Sequence, residues 1–153
     1  MRLRIALVES GTPATHIFSR TYLPRVGIPT MGAVLKQRGY DCDIFFEALS
    51  PVRADDLWAY DVVGIGSLTS TIESAYRLAD SLRESRTTVV MGGPHVTFMP
   101  REALNHCDYV VMGEGEDTLA SLIDSIEHGK DPQDVGGLAF LSADGTLNIT
   151  ESS

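Results

Sequence analysis

The chain has 153 residues, of which 43% are hydrophobic, and this length suits one domain with a single hydrophobic core. Its 12 basic and 21 acidic residues give a net charge of -9, which opposes binding to nucleic acids and to anionic membrane surfaces. The apolar run before Glu9 is too short for a signal peptide or a membrane-spanning helix, so we expect a cytoplasmic protein. Cys42 and Cys107 match no spacing of zinc or iron-sulfur ligands and are predicted to be buried thiols.

Short apolar runs alternate with helical patterns along most of the chain. Near-continuous apolar runs predict buried parallel strands at residues 3–8, 42–46, 61–65, 87–91 and 109–112. Helices are predicted between and after them, at residues 29–37, 53–58, 72–82, 100–105 and 118–126. Pro29 suits a first helical position, while Gly39 and Gly129 suit helix ends. The helix at 72–82 has the clearest amphipathic spacing, with Ile72, Ala75, Ala79 and Leu82 on one face.

The last part of the chain follows a different pattern. Residues 137–141 and 147–149 are apolar and flank Ala143-Asp-Gly145, a turn signal typical of a hairpin. We therefore divide the chain into an α/β domain at residues 1–134 and an appended hairpin and linker at residues 135–153.

The alternation of strands and helices predicts a flavodoxin-like (Rossmann-like), doubly wound α/β fold. Its five parallel strands are expected in the order 2-1-3-4-5, with a C-terminal β-hairpin. In such a sheet, ligands bind at the carboxyl ends of the strands, so the loops that follow the strands are where a site is expected.

These loops are rich in glycine and hydroxyl side chains, which let a ligand approach the backbone closely. Together they predict a groove for a neutral to anionic, phosphate-bearing small molecule. The predicted cofactor-binding residues are Ser10, Gly11, Thr12, Gly66, Ser67, Leu68, Thr69, Ser70, Thr71, Gly92, Gly93, Pro94, His95, Gly113, Glu114, Gly115 and Glu116.

A purely structural role is the simpler interpretation for several of these side chains taken singly. The hydroxyls of Ser67 and residues 69–71 suit the cap of the third helix, and Glu114 and Glu116 suit the positive end of a helix dipole.

Common catalytic motifs are missing from the chain. No G-x-G-x-x-G follows the first strand and no P-loop motif occurs, which argues against a dinucleotide fold and a P-loop NTPase. His106 and His128 suit helix ends, whereas His16 and His95 lie in loops from which either could act as a base or ligand. No oriented catalytic pair is evident, so no catalytic residue is predicted.

Four segments in order resemble the cobalamin (vitamin B12)-binding domain of the B12-binding radical-SAM protein family. They are residues 27–40, 61–70, 89–97 and 108–116, and Gly92-Gly-Pro-His95 followed by Gly113-Glu-Gly-Glu116 is the most specific part. The resemblance implies a corrinoid against the carboxyl edge of the sheet, with its nucleotide tail beside residues 67–71 and 92–94.

One departure concerns the cobalt ligand. The methionine-synthase type of domain carries D-x-H-x-x-G after the first strand, and this chain lacks it; His16 does not fit the motif. The resemblance therefore implies base-off cobalamin with no metal ligand from a protein side chain, which suits methyl transfer to a substrate radical.

The family also binds S-adenosylmethionine and a [4Fe-4S] cluster through a C-x-x-x-C-x-x-C motif in a downstream domain. That motif is absent from these 153 residues. We expect a fragment whose partner is the radical-SAM domain of the same polypeptide, so the fragment alone is not expected to be an enzyme.

Two alternatives stay open. The domain could have lost the corrinoid and serve in substrate recognition or as a cover for the active site. It could instead be a freestanding enzyme acting on a nucleotide or sugar-phosphate, with His95 or Glu114 as the acid-base residue.

Overall fold

A computed structural model describes residues 2–11 and 27–152. Within them, one sheet contains the parallel strands β1 (Ile5–Glu9), β2 (Cys42–Phe46), β3 (Val62–Gly66), β4 (Thr88–Gly92) and β5 (Tyr109–Val111). The antiparallel strands β6 (Leu138–Leu141) and β7 (Leu147–Ile149) extend it. The spatial order is β2-β1-β3-β4-β5-β6-β7, which confirms the predicted order 2-1-3-4-5 for the parallel strands and the α/β class.

Six α-helices connect these strands in the described residues. They are α1 (Gly27–Gln37), α2 (Ala54–Leu57), α3 (Ile72–Leu82), α4 (Pro94–Phe98), α5 (Pro100–Ala103) and α6 (Glu116–His128). The α3 prediction is confirmed at both ends, whereas Pro29 is the third residue of α1 rather than the first. Helix α4 was not predicted, because five residues are too few to show helical periodicity.

The sheet separates two hydrophobic cores, since alternate strand residues point to opposite faces. Leu7 and Val90 lie on the face covered by α1 and α6, together with Leu35, Leu122 and Ile123. Val8, Val63 and Met91 lie on the other face, which α2 to α5 cover.

The C-terminal hairpin is not an appendage. Strand β6 pairs with β5 through Val110–Ala139 and Val111–Leu138, and it continues both cores because Ala139 and Leu138 face opposite sides. The sheet therefore has seven strands rather than five. The apolar strand β6 needs partners for its backbone and cover for its side chains. The edge of β5 that no other strand occupies provides the backbone partners.

The two cysteines differ in environment. Cys107 is buried, and burial raises the pKa of its thiol to about 12. Cys42 is only half-buried, so the prediction of a buried thiol was wrong there. Across residues 2–11 and 27–152, no helix combines the length and the apolar character needed to cross a membrane. The predicted site residue Thr12, and His16, lie outside the described residues.

Candidate functional site

A cavity of about 240 Å³ opens at the carboxyl ends of the parallel strands, on the face of the sheet that α1 and α6 cover. Its walls are mostly apolar, with Ile28 and Met31 from α1 and Leu119 from α6. Glu9 and Glu114 are the charged residues in the lining, and Glu9 is buried. The volume is smaller than that of most pockets for whole drug-sized ligands, so it suits one flat, apolar group of a larger ligand.

Glycines form the floor of this cavity. Gly66 on β3 pairs in register with Gly92 on β4, and Glu9 and Val111 continue the row on either side. A Cβ atom at Gly92 would lie 3.7 Å from its nearest neighbour, the carbonyl oxygen of Val111, which is ordinary contact. Protein packing therefore does not require glycine at position 92, and the space above it is open to a ligand.

Gly93 has a different reason to be glycine. Its φ angle is +119°, which L side chains rarely adopt, and a Cβ atom would lie 2.0 Å from the carbonyl oxygen of Ser67. The loops after β3 and β4 are thus in backbone contact, and the amide of Ser67 donates to the carbonyl of Gly92 at 3.1 Å. This contact closes one side of the cavity.

The predicted hydroxyl cluster mainly holds loops together. The Thr71 hydroxyl accepts a hydrogen bond from the Leu68 amide at 3.0 Å and lies 2.9 Å from the Ser10 hydroxyl. Ser10 in turn donates to the carbonyl of Gly66 at 2.8 Å. Thr71 occupies the N-cap position of α3 without capping it through its side chain, so the interpretation of this hydroxyl as a helix cap was wrong.

The cavity gathers about half of the predicted cofactor-binding residues. Those in its lining are Gly66, Ser67, Leu68, Gly92, Gly93, Pro94, Gly113 and Glu114. The described ones outside the lining are Ser10, Gly11, Thr69, Ser70, Thr71, His95, Gly115 and Glu116, for which a role in binding stays a prediction. Glu116 begins α6, where a carboxylate stabilises the helix dipole.

Several lining residues were not predicted from sequence. They are Leu7, Glu9, Gly27, Ile28, Met31, Gly64, Ile65, Val90, Met91, Val111 and Leu119. Most are apolar residues that look like ordinary core positions. The alternation of Gly64 and Gly66 in β3 was the available signal, because two glycines on one face of a buried strand leave space above it.

His95 is held on the outside of the cavity wall. Its Nε2 donates to Glu102 Oε2 at 2.7 Å, and the Tyr76 hydroxyl donates to the same oxygen at 2.7 Å. The hydrogen bond from His95, and after it the one from Tyr76, lowers the pKa of the Glu102 carboxyl. The pKa of the Tyr76 hydroxyl is raised mainly by burial and next by its hydrogen bond to Glu102. The ring of His95 also lies 3.4 Å from Thr69 Oγ1, so both of its nitrogens have protein partners.

Known proteins provide an independent comparison of sequence. The B12 binding domain family matches residues 19–123. Bacteriochlorophyllide d C-8(2)-methyltransferase from Chlorobaculum tepidum is 41% identical over 71 residues, which cover 46% of this chain and 16% of that protein. Cytidylyl-2-hydroxyethylphosphonate methyltransferase from Streptomyces wedmorensis is 28% identical over 174 residues, covering 95% of this chain and 32% of the relative. The chain thus spans less than a third of the length of these relatives.

Solved structures share the fold. The radical S-adenosylmethionine methyltransferase TsrM from Kitasatospora setae, with cobalamin and a [4Fe-4S] cluster bound, has a TM-score of 0.79 at 16% identity and is matched over 100% of this chain and 30% of its own. The radical enzyme OxsB, with aqua-cobalamin and S-adenosylmethionine bound, has a TM-score of 0.82 at 14% identity, over 99% of this chain and 22% of its own.

Proposed function

The chain belongs to the B12-binding domain family, and from this we propose that it is the cobalamin-binding module of a longer radical-SAM enzyme of the methyltransferase type. The observation that carries the proposal is the glycine-floored, apolar cavity at the carboxyl edge of the sheet. Protein packing does not require glycine at position 92, and the open space above Gly92 is what a flat ligand group would need.

The residues that would hold the corrinoid come from the carboxyl ends of β3 and β4 and from helix α1. Gly66, Ser67 and Gly92 would lie beneath the nucleotide tail, and Ile28 and Met31 of α1 would cover it. Apolar walls on both sides favour a flat ring that carries no charge. A bound cobalamin would supply a cobalt centre able to carry a methyl group.

We further propose that the corrinoid binds base-off without a histidine ligand. In the described part of the chain, no histidine lines the cavity, and His95 is engaged with Glu102 and Thr69 instead. A lower cobalt face without an imidazole ligand agrees with the absence of D-x-H-x-x-G from the sequence.

The parent enzyme in this proposal is longer than the chain described here. The matched region covers only 16% of one relative and 30% and 22% of the two solved neighbours, of which TsrM is bound to a [4Fe-4S] cluster and OxsB to S-adenosylmethionine. Because β6 and β7 belong to the sheet, we propose that only the residues after β7 lead toward a radical-SAM domain, which would perform the radical chemistry in the cytoplasm.

The first experiment is an anaerobic titration of the protein with methylcobalamin and hydroxocobalamin. Visible absorbance reports the lower axial ligand, and calorimetry reports the affinity. We expect saturable binding with a base-off spectrum. A base-on spectrum would contradict the proposed tail site. No binding at high micromolar corrinoid would contradict the proposal as a whole and favour a domain that covers the active site without a corrinoid.

A matched pair of variants places the site. Gly92→Val fills the open floor of the cavity at the carboxyl end of β4. Thr88→Ile enlarges a side chain on the same face of β4 but at its amino end, away from the cavity. We expect Gly92→Val to weaken corrinoid binding about ten-fold or more and Thr88→Ile to leave it unchanged. Equal affinity in the two variants would show that the tail does not occupy this cavity.

A further inference from the structure

The hydroxyl of Thr97 on α4 joins the two loops that form one wall of the cavity. Thr97 Oγ1 donates to the carbonyl oxygen of Gly93 at 2.8 Å and accepts a hydrogen bond from the amide of Gly113 at 3.2 Å. Gly93 follows β4 and Gly113 follows β5, and both line the cavity, whereas Thr97 does not.

This arrangement uses the donor and the acceptor capacity of a single side chain. The carbonyl of Gly93 can only accept, so the Thr97 hydroxyl must be its donor, and a lone pair of Oγ1 is left for the Gly113 amide. The hydroxyl therefore links Gly93 to Gly113 in addition to the pairing of Gly92 with Val111 in the sheet.

The other contacts of these two loops each hold either the Gly93 loop or the Gly113 loop, but not both. The Gly93 side is held by backbone contact with Ser67, and the residue before Gly113 is held because the Met112 amide donates to the Gly137 carbonyl at 2.9 Å. Each of these contacts positions one loop against the sheet without setting the distance between the loops. Removal of the Thr97 hydroxyl would leave the loop at Gly113 free to move away from the cavity.

We propose that Thr97 is a positioning residue for the corrinoid: it does not touch the ligand, but it holds the Gly113 loop at the distance from Gly93 that binding requires. This inference rests on the proposed function, because it concerns the same cavity. It concerns side chains and amides of this chain alone, so part of its test needs no ligand.

Two substitutions at position 97 separate the hydroxyl from the shape of the side chain. Thr97→Val keeps the branched shape and removes both hydrogen bonds, whereas Thr97→Ser keeps the hydroxyl and removes a methyl group. The matched control is Thr87→Val, which removes a hydroxyl that donates to the Tyr60 carbonyl at 3.0 Å at the opposite edge of the sheet. We expect about five-fold weaker binding of methylcobalamin in Thr97→Val, near-native binding in Thr97→Ser and native binding in Thr87→Val.

Amide hydrogen exchange of the unliganded protein gives the second measurement. Loss of the acceptor in Thr97→Val is expected to speed exchange at Gly113 about ten-fold, and Thr97→Ser is expected to restore the native rate. If native protein binds corrinoid and Thr97→Val binds it equally well, the positioning role is wrong while the proposed function stands. If native protein binds no corrinoid, the proposed function fails. Unchanged exchange at Gly113 in Thr97→Val would separately show that the hydrogen bond from Thr97 does not hold the Gly113 loop.

Discussion

Two adjacent glycines in this protein are glycine for different reasons. Gly92 borders open space in the cavity, while Gly93 combines a positive φ angle with close contact to the Ser67 carbonyl. The first is available to a ligand, and the second is required by the backbone itself. A bulky substitution at Gly93 would therefore report on folding rather than on ligand binding.

The two glycines predict opposite results for alanine substitution. Gly93→Ala should lower the free energy of unfolding by about 2 kcal/mol or more, because it introduces strain and a clash. Gly92→Ala should change it by less than about 1 kcal/mol, because a Cβ atom fits there and alanine suits a strand slightly better. Urea unfolding followed by circular dichroism measures both. Similar losses at the two positions would contradict the distinction.

At the scale of elements, the hairpin is the main departure from the sequence interpretation. Its apolar alternation and turn signal predict β6 and β7, but pairing with β5 is a non-local contact that no short pattern encodes. Helix α4 shows the same limit. Pro94 begins it just after Gly93, yet its five residues become a helix only where Val96 can be buried against the sheet.

Integration of the hairpin into the sheet can be tested with one residue from each of its strands. Leu138 of β6 is 0% exposed and Ile149 of β7 is 53% exposed. Leu138→Ala should lower the free energy of unfolding by about 2 to 5 kcal/mol, as expected for a cavity in a core. Ile149→Ala serves as the control and should have a small effect, because its side chain remains largely in water. A small effect at both positions would mean that the hairpin is not part of the cooperative unit.

At the scale of the whole molecule, the two cores share one sheet, so they are expected to unfold together. Cys107 belongs to the core formed with α3 to α5, and burial raises its pKa to about 12. The thiolate is the reactive form of cysteine, so this thiol should be inert in the folded protein.

Thiol labelling should therefore report global unfolding. In a Cys42→Ser variant, Cys107 is expected to react with a disulfide reagent only in proportion to the unfolded fraction across a urea series at pH 8. The rate of labelling, compared with the unfolding curve from circular dichroism, measures this. Rapid labelling in native buffer would contradict the burial of Cys107 and indicate local opening around it. Native protein, with the half-buried Cys42 present, should show one additional and faster reaction.

The sequence by itself determined the α/β class, the order of the parallel strands, the amphipathic face of α3 and the glycine-rich loops at the carboxyl edge. The class, the helix face and the loops depend on local periodicity and turn chemistry, which neighbouring residues set directly. The strand order follows instead from the general topology rules for alternating strands and helices. It also pointed to Gly92, Gly93 and Ser67 as neighbours, because parallel strands bring their carboxyl ends to one edge.

Only the tertiary structure decided which face of the sheet opens into the cavity, because that depends on how α1 and α6 pack above Gly66 and Gly92. It also decided that His95 is engaged with Glu102 and that Thr97 bridges two loops, since these contacts join residues from separate elements. Side-chain direction and long-range pairing are set by the packing of the complete chain, and no short stretch of sequence contains that information.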